Sequence, residues 1–164
     1  MLKKTLKFIL CASLFIPTLG CSSTEKVELK APYSCKVEIE TDSDKYLGSL
    51  DRDQAKWTFS YTEPEEVSGL VITYEGDKYD VKLGEISFSD DRDSLPDSAI
   101  STMIISALDA ATLSADVKYS TKNDTVIAKG SAGEMDYEIT FKDDIPEKLE
   151  IGDIEVKFKD FKLE

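Results

Sequence analysis

From Tyr33 onward the chain alternates between large apolar and polar positions with a period of two. Trp57, Phe59 and Tyr61 fall on one side of an extended segment, with Lys56, Thr58, Ser60 and Thr62 on the other. Tyr79, Val81 and Leu83 alternate with Lys78, Asp80 and Lys82. The same rhythm returns in Met135, Tyr137, Ile139 and Phe141, and again in Ile154, Val156 and Phe158. This spacing predicts half-buried strands in an antiparallel sheet with one wet face. The punctuation agrees. Gly76-Asp77 reads as a two-residue hairpin turn, "TKND" (121–124) as another, and "TEPEEVSG" as a longer loop that keeps Pro64 out of the ladder. About eight or nine strands in a meander are expected.

One segment breaks the rhythm: "LPDSAISTMIISALDAATL", residues 95–113. Asp97 or Ser98 is placed to cap a helix just after Pro96. Ile100, Met103, Ile104, Ala107, Leu108 and Ala111 then recur at helical spacing as one apolar stripe. The opposite side carries Ser101, Thr102, Ser106 and Asp109, with Ile105 among them. In so charged a chain an exposed face would carry Lys and Glu. This helix is expected to be covered on more than one side.

The order is strands, one apolar helix, then strands. It predicts an α+β fold: a strongly curved antiparallel sheet, an unclosed half β-barrel, wrapping a central apolar helix. Residues 33–164 would form this single domain. The stretch "WTFSYTEPEEVSGLVITYEGDKYDV" resembles the lipoprotein-carrier (Lol-type) family, with its aromatic strand, its proline-containing loop and its paired strands around a Gly-Asp turn. The resemblance implies an unclosed half-barrel with helical structure in its concave side. It also implies a ligand such as a lipid or acylated peptide held between sheet and helix. Two features depart from that family. Its members begin with a helix, where this chain has the polar stretch "SSTEKVELKAP". They also place a charged residue on an early strand to control opening, and no residue at matching spacing takes that role here.

The chain opens "MLKKTLKFILCASLFIPTLGC". Lys3, Lys4 and Lys7 precede an apolar run from Phe8 to Ile16, which is much shorter than the ~20 residues that span a bilayer. This reads as a secretory signal. Thr18-Leu19-Gly20-Cys21 resembles the bacterial lipobox, which implies cleavage after Gly20 and a lipid on Cys21. Residues 1–20 would then be the signal peptide and 21–32 a lipidated tether. Two or three acyl chains, at about 0.8 kcal/mol per buried CH₂, would hold the body on the extracytoplasmic side of the cell membrane.

Charge and composition narrow the chemistry. The net charge is −13, and more negative still without the leader's three lysines, which argues against nucleic acid and against a body lying flat on anionic lipid. There is no histidine. That removes Ser-His-Asp and Cys-His catalysis and nearly all zinc sites. Of three cysteines, Cys11 and Cys21 belong to the leader and anchor, and Cys35 shares an inward alternation with Val37 and Ile39. The acidic run "SDDRDSLPDS" (89–98) lacks the glycine and spacing of a calcium loop. No enzyme chemistry, cofactor or metal is expected.

Two readings of the apolar strands stay open. In one, Trp57, Phe59, Tyr61, Leu70, Ile72 and Tyr74 simply pack on the helix as a solid core. In the other, sheet and helix leave an apolar cavity lined by Trp57, Phe59, Tyr61, Ile72, Tyr74, Met103 and Ile105. Val71 and Ile105 favour the second, since each is an apolar residue on the side away from its element's main stripe. The chain is then a carrier whose helix is a gate with few fixed polar contacts. The first leaves a surface scaffold, with the Glu65-Glu66 pair or the 89–97 loop recruiting an envelope protein.

Overall fold

The computed structural model describes residues 26–96 and 99–163. Gly20 and Cys21, and the expected cap residues Asp97 and Ser98, lie outside the described residues. Eleven strands form one antiparallel sheet: β1 (Tyr33–Glu40), β2 (Lys45–Asp53), β3 (Lys56–Glu63), β4 (Leu70–Glu75), β5 (Lys78–Leu83) and β6 (Ile86–Asp91) precede the helix α1 (Ile100–Leu113). After it come β7 (Lys118–Lys122), β8 (Thr125–Ala132), β9 (Met135–Lys142), β10 (Ile145–Ile151) and β11 (Ile154–Leu163).

Their order across the sheet is β6-β5-β4-β3-β2-β1-β11-β10-β9-β8-β7. Two meanders therefore meet where the first strand pairs with the last, Val37 opposite Phe158 and Ile39 opposite Val156. The outermost strands are the two that flank α1 in sequence. The helix thus carries the chain from one free edge to the other along the inner face.

The expected strand count and class need correction. The sheet has eleven strands, not eight or nine, and with one α-helix of 14 residues among the described residues the fold is mainly β instead of α+β. The count ran low because three strands carry little burial signal. All six residues of β6 are exposed, four of five in β7 are, and β2 turns Gly48 and Arg52 inward where large apolar residues would advertise a strand. The unclosed half-barrel wrapped on a helix remains an apt description.

Tight turns hold the meanders together. Gly76 has φ 59° in the β4–β5 hairpin, a conformation that a Cβ penalises. Asn123 and Asp124 both take positive φ in the β7–β8 turn, and Asp143 and Asp144 do so between β9 and β10. Asn and Asp tolerate that region best among residues with side chains. Inside the curve a single core runs through Val37, Leu50, Phe59, Ile104, Ile139, Leu149 and Val156. Its reach extends into the stretch expected as tether, since Val27 is only 1% exposed.

The convex face is a lattice of ion pairs. Lys159 meets Glu38 at 2.7 Å, Lys148 meets Glu155 at 2.7 Å, and Lys157 bridges Glu155 at 2.9 Å and Glu40 at 3.6 Å. Lys129 and Glu138 extend it onto β8 and β9. Such exposed pairs each contribute little, but they keep the wet face free of apolar patches.

Candidate functional site

The expectation that α1 is covered on several sides holds. Ser101, Thr102, Met103, Ile104, Ile105, Ala107, Leu108 and Ala111 are all buried. The small hydroxyl side is not idle, because Tyr74 reaches it from β4. The Tyr74 hydroxyl shares hydrogen bonds with Ser101 Oγ at 2.7 Å and Thr102 Oγ1 at 3.1 Å.

Tyr74 belongs to a row that the register fixes. Tyr33 stands opposite Arg52, Arg52 opposite Trp57, Trp57 opposite Tyr74, and Tyr74 opposite Tyr79. Directly opposed residues share a face, so these five side chains line one inner band across β1–β5. Each combines an apolar body with a polar tip. The Arg52 guanidinium lies 4.3 Å from the Trp57 ring centroid, a cation–π stack, and its Nη2 is 3.8 Å from Asp109 Oδ1 on the helix. Asp109 is the only acid on α1. Burial pushes its carboxyl pKa above the ordinary value, while Arg52 and Arg92 pull the other way. Tyr119 completes the set of ties, its hydroxyl donating to the Ala111 carbonyl. The helix is therefore pinned at three places, which corrects the picture of a gate with few polar contacts.

Two cavities flank the C-terminal half of α1. One, of about 340 Å³, is bounded by Tyr33, Arg52, Trp57, Leu108, Asp109 and Leu113, with residues 26–31 across it. The other, of about 850 Å³, opens between Ala110 and Ser114 at the helix end and Gly130 and Tyr137 of the sheet, and it reaches Gly152 in the β10–β11 turn and Lys129, Glu138 and Glu150 of the outer face. Gly130 is required there. A Cβ at this position would sit 2.6 Å from the Tyr137 hydroxyl.

These cavities share one electrostatic oddity. Three buried side-chain polar atoms among the described residues have no hydrogen-bond partner: the Tyr33 hydroxyl, the Trp57 indole nitrogen and the Tyr137 hydroxyl. All three residues contribute to the two cavity walls. Burial raises the pKa of Tyr33 far above the usual phenol range and that of Tyr137 to about 12, so both stay protonated donors. Native proteins rarely bury such groups unpaired, and each instance calls for a reason.

The seven residues expected to line a cavity are brought together, but as core. Trp57, Phe59, Tyr61, Ile72, Tyr74, Met103 and Ile105 are between 0% and 9% exposed. Of them, Trp57 alone borders either cavity. Sequence reasoning missed Tyr33, Arg52, Asp109 and Tyr137. Two of these were readable. Arg52 continues the inward alternation of Gly48 and Leu50, and a lone acid on an apolar helix is its natural counterpart. Among the described residues no group of three or more Cys, Asp or Glu is placed to hold a metal ion.

Solved structures share this open half-barrel closed over one helix. The chain is similar to a LolA superfamily protein from Nitrosomonas europaea, at TM-score 0.52 and 10% identity over 86% of this chain and 90% of that one. It is also similar to an uncharacterized conserved protein from Thermus thermophilus, at TM-score 0.55 and 14% identity over 83% of this chain and 80% of that one. No family model and no curated protein matches the sequence.

Proposed function

We propose that this protein is a membrane-anchored carrier, lipidated on Cys21 and held on the extracytoplasmic side, that takes up an apolar ligand between sheet and helix. The observation that carries this reading is the pair of cavities flanking the C-terminal half of α1, bordered by Tyr33, Trp57 and Tyr137, the three described residues with an unpaired buried polar atom. The likeness in fold to a LolA superfamily protein supports the same direction. Uptake would be driven by removal of apolar ligand surface from water, at about 25 cal/mol per Å². No catalytic step belongs to this reading.

The test is native mass spectrometry of the purified full-length chain, followed by titration with a pyrene-labelled acyl methyl ester. A co-purified lipid, or saturable binding lost in Leu113→Glu, supports the carrier. Leu113 suits the purpose because it borders the smaller cavity yet is 73% exposed, so the fold tolerates the change. Absence of both results removes the carrier reading. Anchoring is tested separately, by incorporation of labelled palmitate that Cys21→Ala abolishes.

A second reading, a scaffold that recruits an envelope protein, draws on one observation. β6 is an edge strand of the sheet, with Ile86 73% and Phe88 51% exposed. Such an edge is open to strand addition. It becomes the better account if the titration fails.

A further inference from the structure

Of the charged residues that border the smaller cavity, Lys30 and Glu28 stand mostly in solvent, 79% and 74% exposed, and Lys26 is exposed too, while Arg52 and Asp109 form the inner pair. Lys30 and Glu28 are 3.7 Å apart, and the Arg52–Asp109 contact of 3.8 Å is long for a charge-assisted hydrogen bond. The guanidinium therefore keeps donors to spare.

Two more donors sit beside it. Tyr33 and Trp57 flank Arg52 on the neighbouring strands and meet edge-on, their ring centroids 5.9 Å apart and planes at 82°. In that arrangement no hydrogen bond joins them, and neither polar tip has a partner elsewhere among the described residues. Both residues are 3% exposed. Tryptophan can only donate, and an arginine can only donate. Unpaired donors on the strands beside an arginine call for an acceptor-only group. Around it the wall turns apolar, through Val27, Leu108 and Leu113. The volume of about 340 Å³ falls at the lower end of the ~300–1,000 Å³ typical of small-molecule sites.

We infer that this cavity is the head-group subsite for a chain carboxylate, with Tyr33 and Trp57 donating to its oxygens beside Arg52 and the alkyl tail running along the helix. This rests on the carrier reading and adds the ligand's polar class to it. Both oxygens of a carboxylate accept without donating, which suits Arg52 and the two unpaired donors on its neighbouring strands. An ester offers one carbonyl and no charge, and a hydrocarbon offers neither. The ligand's entry must displace the strap of residues 26–31, whose Val27 is buried over the same space.

The test uses the full-length chain and three pyrene-labelled probes of equal length: the fatty acid, its methyl ester and the parent hydrocarbon. The acid should bind at least tenfold more tightly than the ester at pH 8, and the advantage should shrink in high salt. Tyr33→Phe removes one oxygen and keeps the ring. It should weaken the acid about tenfold, the scale of a hydrogen bond to a charged group, and leave the hydrocarbon within twofold. Trp57→Phe should act in the same direction. Equal binding of acid and ester, or a Tyr33→Phe variant with unaltered acid affinity, overturns the head-group assignment. The carrier reading then survives on the hydrocarbon and ester alone. If no probe binds, both fall.

Discussion

Two tyrosine hydroxyls in one inner row should respond to the same deletion with opposite signs. Tyr74 is 1% exposed, and its hydroxyl bonds both Ser101 and Thr102, themselves 1% and 8% exposed. Tyr74→Phe leaves two helix hydroxyls buried. An unpaired buried polar group costs about 1–3 kcal/mol, and a helical Ser or Thr can recover part of that by turning to a carbonyl four residues back. A net loss of about 2 kcal/mol is expected, or a Tm lower by roughly 6 °C for a domain of this size. Tyr33→Phe deletes a hydroxyl that has no partner among the described residues. Its ring stays stacked on Phe161 at 4.8 Å, so the variant sheds a desolvation penalty and loses little packing. It should gain about 1 kcal/mol, or roughly 3 °C.

Urea unfolding followed by far-UV circular dichroism, with the single tryptophan, Trp57, as a second probe, measures both. The triple variant Tyr74→Phe, Ser101→Ala, Thr102→Ala supplies the control. Removing every polar member of the cluster together is nearly neutral when the shape is kept, so it should recover most of the single variant's loss. Shifts of the same sign in both tyrosine variants would refute the reasoning. So would a triple variant no more stable than Tyr74→Phe.

Other consequences follow from single positions. Gly48→Ala should abolish or severely weaken folding, because a Cβ there would collide with the Ser60 carbonyl oxygen on β3, and backbone cannot move aside as a side chain can; soluble yield and Tm report it. Cys35 is 4% exposed and burial pushes its thiol pKa up to about 12, so iodoacetamide at pH 8 should leave it unlabelled by peptide mass spectrometry until denaturant is added. On the convex face, hydrogen bonds from Lys159 to Glu38, from Lys148 and Lys157 to Glu155, and from Lys36 to Asp160 hold these carboxyls below their ordinary values. Their folded pKa lies under the unfolded one, so their contribution is whole above about pH 4.5 and fades as pH falls through the folded values, a loss that Tm against pH should show and that salt or Glu155→Gln should reduce. Asp109 works the other way, since its raised pKa means that protonation relieves the folded state.

How much of this was legible depended on where each residue sits under the helix. In β3, β9 and β11 the inner residues are large, apolar and buried, so a period of two announced them. In β5 the same period was present, but burial fades along the strand from Tyr79 to Leu83, which is 41% exposed. The pattern declares a face, and it is silent on whether anything covers that face. The hydroxyl-rich side of α1 was readable as covered because charge was missing there. That its cover is the Tyr74 hydroxyl depends on the β3–β4 register, which no local signal prints. The cavities were illegible for the same reason: they arise where the helix ends relative to strands far away in sequence.

That mismatch between cover and sheet follows from size. A helix of 14 residues is about 21 Å long and about 10 Å across, whereas eleven strands span roughly 48 Å around the curve. One helix can seal the middle strands and no more. Burial accordingly peaks in β1, β3, β9, β10 and β11 and vanishes at β6, where Ile86 and Phe88 continue inner rows that begin in the core. Leu50, Phe59, Ile72, Val81 and Phe88 form one such row across five strands, fully buried at Leu50 and 51% exposed at Phe88. A chain selected only for stability would end the apolar surface where its cover ends. Here the apolar surface outruns the helix, and unpaired donors lie beneath the helix's far end. Both features cost stability in a chain that stands alone, and the proposed carrier function predicts that a ligand with an apolar tail and an acceptor head offsets them.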